Sequence, residues 1–312
     1  MKKVKVLYVA GAHRSGSTLL TSILDGYDGI FAAGELHEIW QNLIDGQPCG
    51  CGQRLEHCPV WGPILEEICE NALARRLTPA DAVRWRARSA RTWHTGRILW
   101  QATRPHRSSS ATRYAALMGA LYTVIARRTG SRVVIDSTKI PSGTALLLTM
   151  NHLATYVLHL VRDPRATAYS WRNLKVKRFS GYEEPLMEQS LLLSGLQWLG
   201  YNLLTEWVSR HCNGEWLRLR YEDLVTHPRA QANALVSWLG VETERDPFEQ
   251  PDLVRLTDSH IIAGNPDRFD TGIKRVRLDD RWLQEMSSTD RWIVTAVSLP
   301  LLHRYGYHVT MR

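Results

Sequence analysis

Residues 4–24, VKVLYVAGAHRSGSTLLTSIL, predict a buried strand, a short glycine-containing loop and a helix in direct succession. The strand is an apolar run that ends near Ala10, and the helix begins at Ser17. A helix that starts directly after such a loop points backbone N–H groups and the positive end of its dipole at one place. This unit is typical of α/β folds that bind an anion at the end of a strand, although an ordinary strand-to-helix turn has the same pattern.

The loop has the glycine spacing of a nucleotide-triphosphate P-loop, G-x-x-x-x-G-K-[ST], but lacks the lysine. Gly11 and Gly16 occupy the glycine positions and Thr18 the hydroxyl position, whereas Ser17 replaces the lysine. A positive charge is present inside the loop instead, at Arg14. Because that lysine bridges the β- and γ-phosphates, its replacement favours a nucleotide with a shorter anionic chain.

A second anion-binding segment is predicted at residues 157–171, VLHLVRDPRATAYSW. Its apolar first half is typical of a strand, and Pro164 suits the first turn of a following helix. Arg162 lies at the carboxyl end of the strand, where open α/β sheets bind ligands. Ser170 lies about two helical turns further along, from where its hydroxyl can reach the same anion.

Together the two segments resemble the sulfotransferase superfamily, whose members transfer a sulfuryl group from 3′-phosphoadenosine 5′-phosphosulfate (PAPS). In the carbohydrate- and tyrosine-type members the first loop reads R-S-G-[ST]-[ST] and binds the 5′-phosphosulfate. The second reads R-D-P-R-A, with a serine eight residues after its first arginine, and binds the 3′-phosphate. Carried over to this chain, the resemblance to bacterial members implies a donor site formed by His13, Arg14, Ser15, Gly16, Ser17, Thr18, Arg162 and Ser170.

Sulfuryl transfer requires a group that accepts the acceptor's proton and positive charge that stabilises the transferred SO₃ group. Arg14 is a predicted source of that charge, together with Lys139 in a DSTK turn that resembles the D-S-S-K-like turn of bacterial relatives. Glu35 and His37, in AAGELHEIW, are the candidate bases, since tyrosine-type relatives have their catalytic glutamate in a similar Gly-Glu segment. Partial desolvation is expected to raise the pKa of Glu35 towards neutrality.

Each of these residues also has a structural interpretation. Glu35 could be a helix N-terminal carboxylate that interacts with the dipole, His37 a surface or structural histidine, and Lys139 a structural lysine. His13 is predicted to set the shape of the loop rather than to accept a proton. The RYEDL segment at 220–224 also recurs in the family and is predicted to buttress the site.

A late segment, HIIAGNPDRFDTGIKR at 260–275, resembles the loop that closes over the nucleotide in this family. The resemblance implies that Gly264 and Arg268 contact the donor. Lys274 and Arg275 are further basic candidates near the 3′-phosphate.

Predicted strands alternate with helices along the rest of the chain. Further strands are predicted at residues 30–33, 132–139, 155–161 and within 215–224. The alternation predicts an α/β fold with a P-loop-like, mostly parallel sheet and helices on both faces. A largely helical region around 40–130 is predicted to bind the acceptor, with a mobile loop at 104–113. No repeat or linker is apparent, so residues 1–312 are predicted to form a single sulfotransferase domain.

The net charge of +8 predicts an anionic ligand or surface. The arginines are dispersed and no nucleic-acid-reading motif is present, so PAPS as cofactor explains the charge more simply than nucleic acid. The expected acceptor is a hydroxyl or amine of a small molecule, carbohydrate or natural product. Two alternatives stay open: a P-loop kinase-like phosphotransferase with Asp136 as a Walker-B-like aspartate, and a basic nucleotide- or nucleic-acid-binding module.

No apolar run approaches the roughly 20 residues that span a bilayer, so no membrane partner is expected. The start at Met1 resembles a signal peptide superficially, but its apolar run contains Lys5 and continues into the phosphate loop. A cytoplasmic, bacterial-type enzyme is therefore predicted.

Three of the five cysteines, Cys49, Cys51 and Cys58, cluster beside His57 in PCGCGQRLEHCPVW. The spacing lacks the C-x₂-C pair of standard zinc motifs, and no metal is predicted for the reaction. Three interpretations compete: reduced thiols in a glycine-rich loop, a metal or redox site, and a disulfide, which cytosolic reduction disfavours. Similar segments recur in bacterial sulfotransferase relatives, which implies a local scaffold near the acceptor entrance.

Overall fold

The computed structural model describes residues 3–71, 77–102, 110–173, 178–179, 182–183, 189–211 and 214–309. The strands are β1 (Val4–Ala10), β2 (Ile30–Gly34), β3 (Val133–Lys139), β4 (Leu153–Val161), β5 (Arg178–Phe179), β6 (Tyr182–Glu183), β7 (Glu215–Arg220), β8 (Phe248–Gln250), β9 (Leu253–Leu256) and β10 (Gly272–Arg275). Five of them form a parallel sheet in the order β2-β3-β1-β4-β7. The last three form a small antiparallel sheet, and β5 pairs with β6.

The helices cover both faces of the parallel sheet. They are α1 (Ser17–Leu24), α2 (Ile39–Ile44), α3 (Trp61–Asn71), α4 (Pro79–Ser89), α5 (Thr95–Ala102), α6 (Ser110–Thr129), α7 (Pro141–Leu147), α8 (Pro164–Arg172), α9 (Leu191–Ser209), α10 (Tyr221–Thr226), α11 (Pro228–Trp238), α12 (Trp282–Glu285) and α13 (Ser288–Leu302). Short 3₁₀ turns are present at Leu36–Glu38, Leu55–His57, Thr92–His94, Pro266–Phe269 and His303–Tyr305.

Strand β1 is apolar on both faces because both faces are covered. Val6 and Tyr8 belong to a core shared with helices α3, α4, α6 and α7, whereas Leu7 and Val9 pack in a second core with α1 and α11. Alternate residues of a strand point to opposite faces, so an uninterrupted apolar run is what a central parallel strand requires. The expectation of a mostly parallel sheet with helices on both faces is confirmed.

The parallel arrangement brings the ends of all five strands to one edge of the sheet. The register pairs Ala10 of β1 with Lys139 of β3 and with His159 of β4. Segments that leave the strands at this edge include the glycine loop after β1 and Arg162 after β4. Ligands of open α/β sheets bind at this position.

Most predicted elements are present, with shifted ends, but neither the β5–β6 pair nor the small sheet β8–β10 was predicted. The segment from Gly34 onward begins as a 3₁₀ turn, and the regular helix starts only at Ile39. Within 104–113, residues 110–113 belong to α6, and the remainder of the predicted mobile loop lies outside the described residues. The antiparallel sheet β8–β10 was not predicted, because its strands are three or four residues long and show little alternation.

None of the helices in the described ranges is long and apolar enough to cross a bilayer.

Candidate active site

The loop between β1 and α1 depends on its two glycines. Gly11 has φ 131°, and a Cβ there would lie 2.4 Å from the carbonyl oxygen of Leu160. Gly16 has φ 90°, and a Cβ there would lie 2.3 Å from the Tyr221 ring. Among the described residues no side chain caps the start of α1, so the N–H groups of its first turn are left for an anion.

The two predicted anion-binding segments meet at this loop. Arg14 Nε donates to Ser170 Oγ at 3.1 Å, and Arg162 Nη1 donates to the carbonyl oxygen of Arg14 at 3.2 Å. The guanidinium of Arg162 is buried and lies 4.5 Å from the centroid of the Tyr221 ring. Segments about 150 residues apart in the chain therefore form one basic surface, as the motifs predict. The Ser15 hydroxyl, in contrast, is buried away from it.

Lys139 joins the phosphate loop to the end of β2. Its Nζ lies 2.5 Å from Oε1 of Glu35, 3.3 Å from Oγ of Ser17 and 2.8 Å from the carbonyl oxygen of Ser137. The lysine and the glutamate are both largely shielded from solvent, with 4% and 14% of their side chains exposed. The contact fixes the positions of the two side chains, and removal of either partner would leave the other buried without its counterpart.

The electrostatics of this pair differ from the expectation for Glu35. Burial alone raises the pKa of Glu35, but the charge and hydrogen bond of the Lys139 ammonium lead the contributions that outweigh it. The pKa of Glu35 is therefore lowered, and the predicted rise towards neutrality is wrong. Burial lowers the pKa of His13 to about 4, so this loop histidine is neutral at pH 7.

His37 lies behind the cavity rather than in its wall. Its Nε2 is 2.9 Å from Oε1 of Glu38, and its Nδ1 is 3.2 Å from Oγ1 of Thr138. Glu38, which was not predicted, does line the cavity. Burial alone would raise the pKa of Glu38. Hydrogen bonds and charge from His37 and Arg86 outweigh burial and lower this pKa to about 2.

The late segment forms part of the opposite wall. Ile262 pairs with β2, accepting a hydrogen bond from the Glu35 N–H at 2.8 Å. Gly264 lines the cavity with φ 90°, and a Cβ there would lie 3.4 Å from Oε1 of Glu35. Arg268 does not line the cavity: it is buried, and its Nη1 donates to the carbonyl oxygen of Gly264 at 3.0 Å. The predicted contact of Arg268 with the donor stays a prediction, whereas Lys274 and Arg275 both line the cavity.

These segments enclose a cavity of about 810 Å³, a size typical of small-molecule and cofactor sites. The described residues of 40–130 do not line it, so the acceptor-binding role of that region stays a prediction. Arg14, Lys139 and Ala263 are the non-glycine residues with positive φ in the described ranges, at 64°, 69° and 54°. All three line the cavity. Backbone strain of this kind clusters at functional sites.

Two further charged residues that line this cavity were not predicted by the motifs. Asp279 Oδ2 lies 3.7 Å from Nη2 of Arg162, and Arg281 Nε lies 2.7 Å from Asp279 Oδ1. The hydrogen bond from Arg281 lowers the pKa of Asp279, which keeps this carboxylate charged. Arg162 therefore faces a negative group of the protein itself. No sequence motif marks Asp279, which lies in the mixed-charge segment RVRLDDR.

Asp136 is unavailable for the metal-binding role of a Walker-B aspartate. Its Oδ2 accepts a hydrogen bond from the Tyr122 hydroxyl at 2.5 Å, and its Oδ1 accepts two from Thr138 at 2.5 and 2.9 Å. The carboxylate is buried, and it does not line the cavity. Asp136, one of the two features that motivated the phosphotransferase alternative beside the Gly11–Gly16 spacing, is thus part of the core.

The glycine loop, the arginine after β4 and the strand-edge lysine are the features expected of an α/β fold that binds an anion, and comparisons with known proteins identify the family. Residues 7–245 match the sulfotransferase family, and the chain belongs to that family. The fold resembles the sulfotransferase domain of the Synechococcus PCC 7002 olefin synthase, with 22% identity and a TM-score of 0.53 over 99% of this chain and 98% of that one. It also resembles the sulfotransferase domain of the curacin biosynthetic pathway, with 16% identity and a TM-score of 0.50 over 99% of this chain and 100% of that one. The comparison with curated proteins gave no match.

Proposed function

We propose that the protein transfers a sulfuryl group from PAPS to a hydroxyl or amine of a small-molecule, carbohydrate or natural-product acceptor. Family membership supports sulfuryl transfer as the reaction class. The observation that supports PAPS as donor is the meeting of Arg14 and Arg162 across one hydrogen-bonded contact. It offers two anion positions side by side, as a 5′-phosphosulfate and a 3′-phosphate on one ribose require.

The loop after β1 is the proposed site of the 5′-phosphosulfate. The N–H groups at the start of α1, the side chain of Arg14 and the hydroxyls of Ser17 and Thr18 all face the cavity or its floor. Hydrogen bonds from charged and backbone donors to an anion are among the strongest in proteins. They hold the phosphosulfate in line for displacement without a metal ion.

Arg162 and Ser170 are the proposed site of the 3′-phosphate. Both line the cavity, and the buried Nε of Arg162 has no hydrogen-bond partner among the described residues. A buried donor without a partner costs about 1–3 kcal/mol, which a phosphate oxygen would recover. The same phosphate would replace the carboxylate of Asp279 as the group that faces Arg162.

In the proposed reaction the acceptor oxygen or nitrogen attacks the sulfur, and the bond from sulfur to the 5′-phosphate oxygen breaks. Adenosine 3′,5′-bisphosphate leaves with that electron pair. Lys139 lies beside Ser17 at the loop, where its ammonium can stabilise charge on the sulfuryl group or the leaving oxygen. Glu35 accepts the proton of the acceptor, with its second carboxylate oxygen as the site of protonation.

Glu35 is preferred as the base over His37 because it lines the cavity and His37 does not. Its lowered pKa means that the carboxylate is in the ionised form that a base needs. His37 would have to act through Glu38, which holds its Nε2. His13 is proposed to shape the loop, in edge contact with the ring of Trp171.

A thermal-shift titration tests the donor. Adenosine 3′,5′-bisphosphate should raise the melting temperature in a concentration-dependent manner, because a ligand that binds only the folded state stabilises it. ATP with magnesium or an oligonucleotide should not do so. Stabilisation by ATP with magnesium alone would support a phosphotransferase, and a preference for oligonucleotides would support a nucleic-acid-binding module. A screen of acceptors with labelled PAPS would then identify the acceptor.

A further inference from the structure

A second group of chemically active side chains lies outside the cavity. It consists of three thiols and one imidazole, here called the Cys₃His cluster: Cys49, Cys51, Cys58 and His260. All four potential ligand atoms lie within 4.8 Å of one another. The Cys58 sulfur is 3.7 Å from that of Cys49 and 3.8 Å from that of Cys51.

The imidazole completes the group. His260 Nδ1 lies 3.3 Å from the Cys58 sulfur and 3.6 Å from the Cys49 sulfur. Tetrahedral zinc has Zn–S distances of about 2.3 Å and Zn–N distances of about 2.0–2.1 Å, which place ligand sulfurs ~3.8 Å apart and sulfur and nitrogen ~3.6 Å apart. The four separations given above lie within a few tenths of an ångström of these values, and the other two do not exceed 4.8 Å. We propose that the Cys₃His cluster binds one structural zinc ion.

The alternative states of the thiols fit less well. A disulfide requires sulfurs about 2.05 Å apart, and all three of these cysteines have free thiols. An iron–sulfur cluster attaches its thiolates to different iron atoms, which needs a wider arrangement than four atoms around one point. If the thiols bound no ion, no interaction would explain why three sulfurs and an imidazole converge on one point.

The backbone around the cysteines supports a metal site. The loop closes on itself, with Cys49 N–H donating to the Gln53 carbonyl oxygen and Gly52 N–H donating to the Cys49 carbonyl oxygen, both at 2.8 Å. The Trp61 N–H points to the Cys58 sulfur at 3.5 Å, and Trp61 Nε1 donates to the His260 carbonyl oxygen at 2.7 Å. An N–H group aimed at a ligand atom is typical of the surroundings of a bound metal. The bond from the Trp61 indole fixes the backbone at His260.

The proposed ion is structural because its four positions are filled by protein ligands, and a catalytic zinc keeps one position open. None of the four ligands lines the cavity. The zinc would instead fasten the loop at residues 48–61 to the segment that begins at His260. The next residues of that segment pair with β2 and reach the cavity wall at Ala263 and Gly264. The ion would thus hold one wall of the donor site from behind.

Elemental analysis of the purified chain tests the proposal directly. About one zinc per chain is expected, and the Cys58→Ser and His260→Ala variants should each lose most of it. Two matched variants should retain it: Cys69→Ser, whose thiol lies on α3 outside the cluster, and His57→Ala, an exposed histidine next to Cys58 in sequence. His260→Cys should also retain zinc, because four thiolates form an equally suitable ligand set.

Measurements on the unmodified chain avoid dependence on variants that fail to fold. Exchange of the metal for Co²⁺ should give the absorption spectrum of a tetrahedral thiolate complex, and a chelator should release zinc together with a fall in melting temperature. The proposal is overturned if the folded chain carries no stoichiometric zinc when expressed in zinc-supplemented medium. A mass that shows a disulfide among these cysteines in freshly purified protein would also overturn it. Zinc content is independent of donor binding, so this test and the donor titration can fail separately.

Discussion

The ammonium of Lys139 lies 2.5 Å from Oε1 of Glu35, and the two side chains are buried together at the mouth of the phosphate loop. The contact joins the end of β3 to the end of β2, with Ser17 of α1 as a third partner. When the carboxylate of this ion pair gains a proton, it loses the negative charge that attracts the ammonium, and the ion pair weakens. Proton transfer from the acceptor and positioning of the positive charge are therefore expected to be coupled.

Glu35→Gln should lower kcat ~10²–10⁴-fold, the usual contribution of a general base, while the dissociation constant of the donor changes little. Steady-state kinetics and a binding titration measure the two effects. Glu38→Gln is the control, because Glu38 also lines the cavity but is bound to His37 and Arg86. A loss in kcat of only a few-fold for Glu35→Gln would place the base elsewhere.

The pH dependence of kcat separates Glu35 from His37. Because the pKa of Glu35 lies below its ordinary value of 4.5, the carboxylate stays ionised as the pH falls from neutral to that value. Activity due to this base should therefore persist at mildly acidic pH and disappear only below it. An acidic limb near neutrality that vanishes in His37→Ala would assign the base to the histidine instead.

Arg162→Ala should weaken PAPS binding by about 2–4 kcal/mol, the cost of removing a charged hydrogen-bond donor. The variant should also lose most of the preference for PAPS over adenosine 5′-phosphosulfate, which lacks the 3′-phosphate. Competition titrations with the two compounds measure the preference. Arg172→Ala removes an arginine whose side chain is 57% exposed and paired with Asp290, and it should bind like the parent chain. An unchanged preference in Arg162→Ala would contradict the 3′-phosphate assignment.

Gly16→Ala should destabilise the protein and impair donor binding, because its Cβ would lie 2.3 Å from the ring of Tyr221. Gly130→Ala is a matched control: Gly130 also has positive φ, at 66°, but no atom lies within 4 Å of its added Cβ. The control should cost about 1 kcal/mol, the backbone penalty alone. Chemical denaturation compares the two, and the excess loss at Gly16 measures the contact with Tyr221. Equal losses of unfolding free energy in the two variants would mean that the Tyr221 ring moves away from the added Cβ at no cost.

The stability of the fold should fall as the pH decreases from about 6.5 to 4. Burial lowers the pKa of His159 from 6.5 to about 4, and the pKa of His13 is lowered in the same way. In the folded protein Nε2 of His159 lies 2.8 Å from Oδ1 of Asn202. The unfolded chain binds protons at these histidines in this range and the folded chain does not, so each contributes up to roughly 3 kcal/mol that is lost on acidification. Asp25 opposes this trend, because burial raises its pKa to about 6. Urea denaturation at several pH values should show a smaller slope for His159→Gln than for the parent; equal slopes would contradict the assignment.

The sequence predicted the parts of the site that are local in the chain. Gly11, Gly16 and Arg14 form a loop whose spacing and turn chemistry suffice to place an anion next to a helix start. Arg162 was predicted as a site residue because it follows an apolar strand, and the carboxyl ends of parallel strands lie at one edge of the sheet. The order β2-β3-β1-β4-β7 was not predictable in this way, since the strand order depends on packing between segments far apart in the chain.

Features that depend on distant pairs were missed or misplaced. The pKa of Glu35 depends on Lys139, 104 residues away, so burial alone does not set the direction of its shift. His260 lies 202 residues after Cys58, which is why the cysteine spacing looked incomplete as a metal motif. The positive charge of Arg268 suggested a contact with the anionic donor. Only the fold shows that its guanidinium donates to the carbonyl oxygen of Gly264.

The positive φ of 69° at Lys139 means that the ion pair with Glu35 is built on an unfavourable backbone conformation. Glycine would relieve this conformation by about 1 kcal/mol, so stability engineering guided by backbone conformation alone would select it. The substitution would also remove the ammonium that faces Glu35 and Ser17, and a buried carboxylate left without its partner costs about 3–5 kcal/mol. Arg14 and Ala263 have the same conformation, so programmes that optimise this fold for heat resistance should leave these three positions unchanged.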